Sequence, residues 1–350
     1  LTFTTTTCRL LGANDQLLPY AKEYIWWIAL FGIIYMPGLG LSIFVRNDNA
    51  PRRELFGTIS GTVVNVVLDY LFIMVFGMGM AGAAIATGIG QTISVLIFCT
   101  HFLQDKRTLK ITKPYWNLTD IKQLMTSGLP TFLMEFSQSA VSFSFNLVLL
   151  SRIGATGVSY YSIVMYICSI FNMVLIGLTQ GAQPIMSYNY GKKNHSEVEQ
   201  IHKLATHTAL VCTTIIYIGI FFFGGALAKI FVSNNPELTA MAAKMMRYYF
   251  LAFFPIGITL INILYFQITE KNTQAILLSI LRCVGFIQIF LLILPFIFGE
   301  VAIYLSFFAG EVLHFLLSEK MFRTELKLPI SKTSSSNNMI EETSAIRRSR

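Results

Sequence analysis

Nine long apolar runs dominate this chain, at 24–45, 55–76, 80–103, 124–150, 158–188, 204–228, 245–268, 275–298 and 300–318. Each is about as long as the helix that a bilayer core requires, roughly 20 residues. In lipid every backbone N–H and C=O must be paired within the chain, so only helices or closed barrels can span it. These runs are too long for strands and do not alternate as barrel strands do. The fold class that follows is all-α and polytopic. Composition agrees: 54% of the 350 residues are hydrophobic and 13% are charged, and mean hydropathy is +0.60. A soluble domain carries about 25% charged residues. A soluble globular protein, a disordered tail and a disulfide scaffold are therefore excluded. The five cysteines are scattered without a CxxC or metal-ligand spacing and read as small buried hydrophobes.

Charge sets the orientation. The net charge is +8, but no basic, aromatic-interleaved domain suits nucleic acid, so none is expected as a partner. Nineteen of the 26 Lys and Arg residues fall on one side of the nine spans and six on the other. Cytoplasmic loops are the basic ones. The chain reads as a multi-pass protein of the cell (plasma) membrane with its C-terminus in the cytoplasm. Residues 1–23 then lie outside. No signal-peptide pattern opens the chain at Leu1, and at least one upstream span is expected if the protein's N-terminus is cytoplasmic. The longest polar connection, QDKRTLKITKPYWNLTD at 104–120, marks the boundary between two helix bundles. The division is 1–105 as a partial first lobe, 106–120 as a cytoplasmic linker, 121–325 as a complete second lobe and 326–350 as a polar, disordered cytoplasmic tail.

A shift of 222 residues lays the first three spans on the last three. Ala21-Lys22 falls on Ala243-Lys244, and Phe76-Gly77 on Phe298-Gly299. The shift preserves orientation, so the halves are parallel repeats about an axis along the membrane normal. The second half has six spans and the first shows only its late three. A parent of twelve helices in two six-helix bundles is implied, with about three spans absent from the front.

Ionisable groups inside a membrane are functional candidates by default. Asp69 lies four residues after Asn65, on the same helix face. Nine residues separate Asp69 from a turn centred near Met78, and nine separate that turn from Thr87. At about 1.5 Å per residue both lie roughly 13 Å below the turn. A carboxylate, an amide oxygen and a hydroxyl at one depth are hard oxygen ligands suited to H⁺ or Na⁺; the alternative is a hydrogen bond that locks the hairpin. Glu135, five residues after Pro130, is a pathway carboxylate or a paired structural one. Glu311 and His314 are three apart on the last span, with Arg282 at similar depth on the span before, and read as a structural ion pair. His101, His195, His202 and His207 lie at span ends or loops without metal spacing. Prolines 37, 184, 255 and 295 are expected to interrupt their spans. Trp26-Trp27 and Tyr248-Tyr249 read as an interfacial aromatic belt.

The run GLTQGAQPIMSYNYGKKN at 177–194 resembles the QGAQPxxSYNYG element of MATE (multidrug and toxic compound extrusion) transporters, in their MepA-like bacterial branch. LGAN at 11–14, LPYAKEYI at 18–25, RNDNAPRR at 46–53, MGMAGAAIATGIGQ at 78–91 and GLP at 128–130 support it. The resemblance covers roughly 1–325 and implies that the chain holds helices four to twelve of a twelve-helix, two-lobe antiporter of the MATE/MOP type, lacking the first three. Such transporters export amphipathic or cationic compounds in exchange for Na⁺ or H⁺ and need no cofactor. The resemblance assigns Asn65, Asp69 and Thr87 to cation coupling in the first lobe, with Na⁺ at Asp69 as the one metal-ion candidate. On the seventh helix, Gln138 stands where other members carry a Glu, and Glu135 is one turn earlier. The tenth helix offers Asn262 and Gln267 in place of an acidic residue. Glu135, Gln138, Asn262 and Gln267 are candidates for the substrate pathway. Gly181 and Pro184 disrupt the helix near its inner end, so Gln183, Pro184, Tyr188, Asn189 and Tyr190 are candidates for a cytoplasmic gate.

The resulting expectation is a secondary active multidrug efflux transporter, not an enzyme, working as a monomer on drug-like small molecules in a lipid bilayer. The rival readings are a lipid-linked oligosaccharide flippase of the same superfamily and an inactive truncated remnant. A flippase should line its cavity with several cations for pyrophosphate, and only Arg282 is deeply placed.

Overall fold

A computed structural model describes residues 4–10, 18–103, 108–109, 117–231 and 235–327. The LGAN motif, most of the 106–120 linker and the tail from 328 lie outside the described residues. The chain divides into two compact units, Leu1–Tyr115 and Trp116–Arg350. The first contains α1 (Thr4–Leu10), α2 (Leu18–Asn47), α3 (Pro51–Asp69), which continues as a π-helical turn at Tyr70–Val75, and α4 (Gly79–Cys99), which ends in a 3₁₀ turn at Thr100–Leu103. The second contains α5 (Leu118–Arg152), α6 (Ala155–Gly191), α7 (His195–Phe231), α8 (Pro236–Tyr249), α9 (Phe253–Ile268), α10 (Asn272–Ile280), α11 (Phe286–Phe298) and α12 (Val301–Leu326). A 3₁₀ turn at Phe250–Ala252 joins α8 to α9, and a π turn at Leu281–Gly285 joins α10 to α11. Among the described residues, eight helical rods are long and apolar enough to cross a membrane. The ninth span is the rod divided by the second π turn.

Local chemistry explains where the helices begin. Pro51 and Pro236 occupy first-turn positions, where no intrahelical N–H is needed. The Asn117 and Asn235 side chains cap α5 and α8 by accepting from Thr119 N at 3.1 Å and Leu238 N at 3.0 Å. Chain reversals need positive φ. Gly77, Gly154 and Gly299 supply it at φ 65°, 86° and 73°. Asn49, Lys193 and Glu270 supply it without being glycine, at 58°, 59° and 60°. Gly77 and Gly299 are the pair that the 222-residue shift superposes, whereas Asn49 and Glu270 are 221 apart. The two rods between these turns thus differ by one residue, and each contains a π turn.

Packing differs between the units. In the first, α3 buries only Gly57 and Gly61, and α4 buries Ala81, Gly82, Ala84, Ala86, Gly88, Gly90 and Ser94, with Phe98 as the one large side chain. Lipid is as apolar as leucine, so helices are held there by close approach of small residues rather than by apolar burial. In the second unit a ring cluster forms the core. Tyr249 stacks on Phe307 at 4.2 Å, and Phe145 stacks on Tyr161 at 5.3 Å.

Three expectations are corrected. Pro37, Pro184 and Pro295 lie inside unbroken helices. A proline removes one hydrogen bond and bends a rod without ending it, whereas the breaks here are π or 3₁₀ turns, of which only Phe250–Ala252 has a proline, Pro255, close by. Tyr249 belongs to the buried core rather than to an interfacial belt. Cys99 is exposed.

Candidate functional site

The face of α3 that meets α4 repeats every four residues: Gly57, Gly61, Asn65, Asp69. Ser94 Oγ donates to Gly57 O at 3.0 Å. A Cβ on Gly90 would lie 2.6 Å from Gly61 O and 2.8 Å from Asn65 Cβ, so the two backbones touch. One turn on, Asn65 Nδ2 donates to Thr87 Oγ1 at 3.4 Å, and Thr87 Oγ1 donates to Ala83 O at 2.9 Å. One turn further lies Asp69. The residue is half-buried, but its Oδ1 is fully buried and has no hydrogen-bond partner.

The register differs from the one that equal spacing about Met78 predicts. Thr87 pairs with Asn65 rather than lying level with Asp69, which centres the hairpin near Phe76. The physical reason is the π turn at Tyr70–Val75. Its i→i+5 pattern advances less per residue than an α-helix, so the first arm needs more residues to reach a given depth. The π turn begins at the residue after Asp69. Among the described residues no three His, Cys, Asp or Glu side chains gather as a metal site. A Na⁺ at Asp69 would take its other oxygens from Asn65, Thr87 and backbone carbonyls.

The remaining candidates are in the second unit. Glu135 and Gln138 are exposed on α5. Gln267 Nε2 donates to Thr131 Oγ1 at 3.2 Å, tying α9 to α5. Asn262 is fully buried, 2.8 Å from His202 Nε2 through Oδ1 and donating through Nδ2 to Ser318 Oγ at 3.2 Å. Gln183 is half-buried and Pro184 lies within α6. Tyr188 is exposed beneath Lys192 Nζ at 4.3 Å, and Asn189 Nδ2 donates to Ile185 O of its own helix at 2.9 Å. Tyr190 reaches another element: its hydroxyl donates to Thr269 O at 3.3 Å, in the turn after α9.

The structure also forms a cluster that the spacing did not single out. Asp48 and His101 are both buried, with His101 Nε2 2.7 Å from Asp48 Oδ2. Asp48 also accepts from Thr108 N at 3.1 Å, from Leu109 N at 3.3 Å and from the Thr108 hydroxyl. Burial works against ionisation of this carboxylate, but the hydrogen bonds from Thr108, His101 and Leu109 outweigh it and hold Asp48 at about 2, from 3.8. The cluster ties the 48–50 turn to the end of α4. In the second unit Lys271 pairs with Glu325 in the corresponding place, between the turn after α9 and the end of α12.

Fold and site together describe an all-α chain whose long apolar rods suit a polytopic membrane protein. Comparisons with known proteins show what the chain is similar to. The MatE family model matches residues 130–294. Multidrug export protein MepA of Staphylococcus saprophyticus is 25% identical over 306 residues, covering 87% of this chain and 67% of that protein. The protein of the same name from Staphylococcus haemolyticus is 23% identical over 340 residues, covering 95% and 74%. A structure described as the outward-facing conformation of a multidrug resistance MATE family transporter of the MOP superfamily is similar at TM-score 0.85 and 18% identity, covering 95% and 76%. A MOP superfamily transporter from Pyrococcus furiosus, whose reversed pocket polarity is described as suggesting a different function, is similar at TM-score 0.84 and 20% identity, covering 93% and 75%. The chain shares the fold of these structures and, over 130–294, matches the MatE family model.

Proposed function

We propose that this protein exports amphipathic or cationic small molecules, coupled to H⁺ or Na⁺ at Asp69. The observation that carries the reading is the buried, unpartnered Oδ1 of Asp69, one turn beyond the Asn65–Thr87 hydrogen bond. A bare carboxylate oxygen out of water is costly, and a proton or a cation removes that cost. The π turn beside it is a helix irregularity of the kind common at functional sites. In this mechanism, cation entry from outside neutralises Asp69 and relaxes the local helix. The loaded and empty states then favour opposite access, so cation entry and drug release alternate. One charge moved across ~100 mV contributes about 2.3 kcal/mol, enough for roughly 50-fold accumulation per charge.

Support for multidrug export comes from the relatives named for it. The placement of Glu135, Gln138, Asn262 and Gln267 along a substrate pathway, and of the 183–190 segment at a cytoplasmic gate, is part of the same proposal. So are the cytoplasmic C-terminus and the monomeric state. The flippase reading loses its deep cation, because Arg282 is neutralised by Glu311. The test is dye export by the reconstituted protein under a pH gradient and a Na⁺ gradient imposed separately. Gradient-driven export that is lost in Asp69→Asn supports the proposal. Undiminished export in that variant refutes it.

A further inference from the structure

A second buried ionic group lies in the second unit, where α12 crosses the π turn between α10 and α11. Arg282 Nε donates to Glu311 Oε1 at 2.8 Å, with the Glu311 side chain 0% exposed. His314 is also fully buried, and its Nε2 lies 3.0 Å from the carbonyl oxygen of Leu278. A carbonyl only accepts, so Nε2 carries a hydrogen. A neutral imidazole has one N–H, which leaves Nδ1 as a bare lone pair. That lone pair faces Glu311 Oε2 at 3.6 Å, and both atoms are buried without a hydrogen-bond partner. Two acceptors oppose each other at a separation too long for a hydrogen bond. A single proton between them turns the repulsion into a charge-assisted bond.

We infer that Glu311 Oε2 and His314 Nδ1 form a one-proton binding site, separate from Asp69. The proton comes from water and no covalent bond within the protein breaks. The net charge of Arg282, Glu311 and His314 rises from zero to +1. The cost of holding that extra charge out of water keeps the site from being permanently filled. Among the described side chains, the other ionisable groups facing α12 are Tyr160 from α6, hydrogen-bonded to Tyr304, Tyr249 from α8, stacked on Phe307, Tyr265 and His202 near Phe322, and Lys271, paired with Glu325. Helices α10 and α11 contribute none. The site grips the broken span just before its break and within it. His314 holds Leu278 O before the π turn, and Glu311 holds Arg282 within it. Proton binding draws Oε2 toward Nδ1, to about 2.8 Å, and so changes the hold on Arg282. The break in this span thereby becomes sensitive to protonation, whichever ion Asp69 takes.

The experiment uses the whole protein with ¹⁵N-labelled histidine in lipid nanodiscs, followed by NMR from pH 9 to pH 5. The His314 resonances are identified by their loss in H314Q. Nε2 is expected to stay protonated throughout while Nδ1 gains a proton in one step. Replacing the ion pair by apolar residues, R282M with E311L, leaves no unpaired buried charge, so the fold is retained. In that variant the Nδ1 step should disappear from this range, because a charged imidazole would have no partner. In Asp69→Asn the step should be unmoved, even where transport is lost. A His314 that keeps Nδ1 bare down to pH 5, or one whose titration is the same in R282M/E311L, overturns the inference. A midpoint displaced by Asp69→Asn overturns its independence.

Discussion

At the residue scale, the buried polar groups divide into those that bind the fold together and those left with an open valence. Asp48 belongs to the first kind. Its folded-state value is depressed to about 2, so its contribution is fully present above about pH 4 and is lost as pH falls through 2. Asp48→Asn should therefore lower the thermal unfolding temperature at pH 7. The gap between variant and wild type should close as pH is lowered toward 2, as read by unfolding in detergent. Asn262 has both side-chain groups engaged, with His202 and Ser318. Asn262→Leu leaves these partners unsatisfied and should cost about 1–3 kcal/mol of stability, measured by denaturant unfolding. Asp69 belongs to the second kind. Asp69 stood out in the sequence because a lone carboxylate in an apolar run has few explanations. Asp48 and His101 did not, because they are 53 residues apart and meet only through the tertiary fold.

At the element scale, the α3–α4 hairpin depends on the absence of side chains where its backbones touch. Gly90→Leu has no room beside Gly61 O. It should separate the helices at a cost of about 1–3 kcal/mol or more, and with them Asn65 and Thr87. Gly177→Ala, in the interior of α6 with open space around it, should be neutral or stabilising by about 0.5–1 kcal/mol. Comparing the unfolding of the two variants separates packing from helix propensity. Gly299→Ala forces a side chain into a positive-φ turn and should cost about 1–2 kcal/mol. The existence of each span was legible in the apolar runs, because backbone pairing in lipid leaves so few alternatives. The boundaries were not, since polar helical turns extend past the hydrocarbon: the run at 204–228 lies within a helix from His195 to Phe231. The π turns were not legible either. They carry no residue signature such as proline.

At the scale of the whole molecule, each of the two three-span units carries an acidic side chain within a span, Asp69 in one and Glu311 in the other. Neither repeats the other: 222 residues after Asp69 stands Leu291, and 222 before Glu311 stands Ile89. The units share turns and rods but differ in their ionic chemistry. That asymmetry suits a transporter in which one unit takes the driving ion and the other responds to protonation separately. The central claim is that Asp69 couples ion entry to export. Its most direct test is dye transport by the reconstituted protein with a pH gradient or a Na⁺ gradient as the sole driving force. The account predicts transport driven by at least one gradient in the wild type and none in Asp69→Asn, with dye binding retained. Equal gradient-driven transport in the two proteins would contradict it.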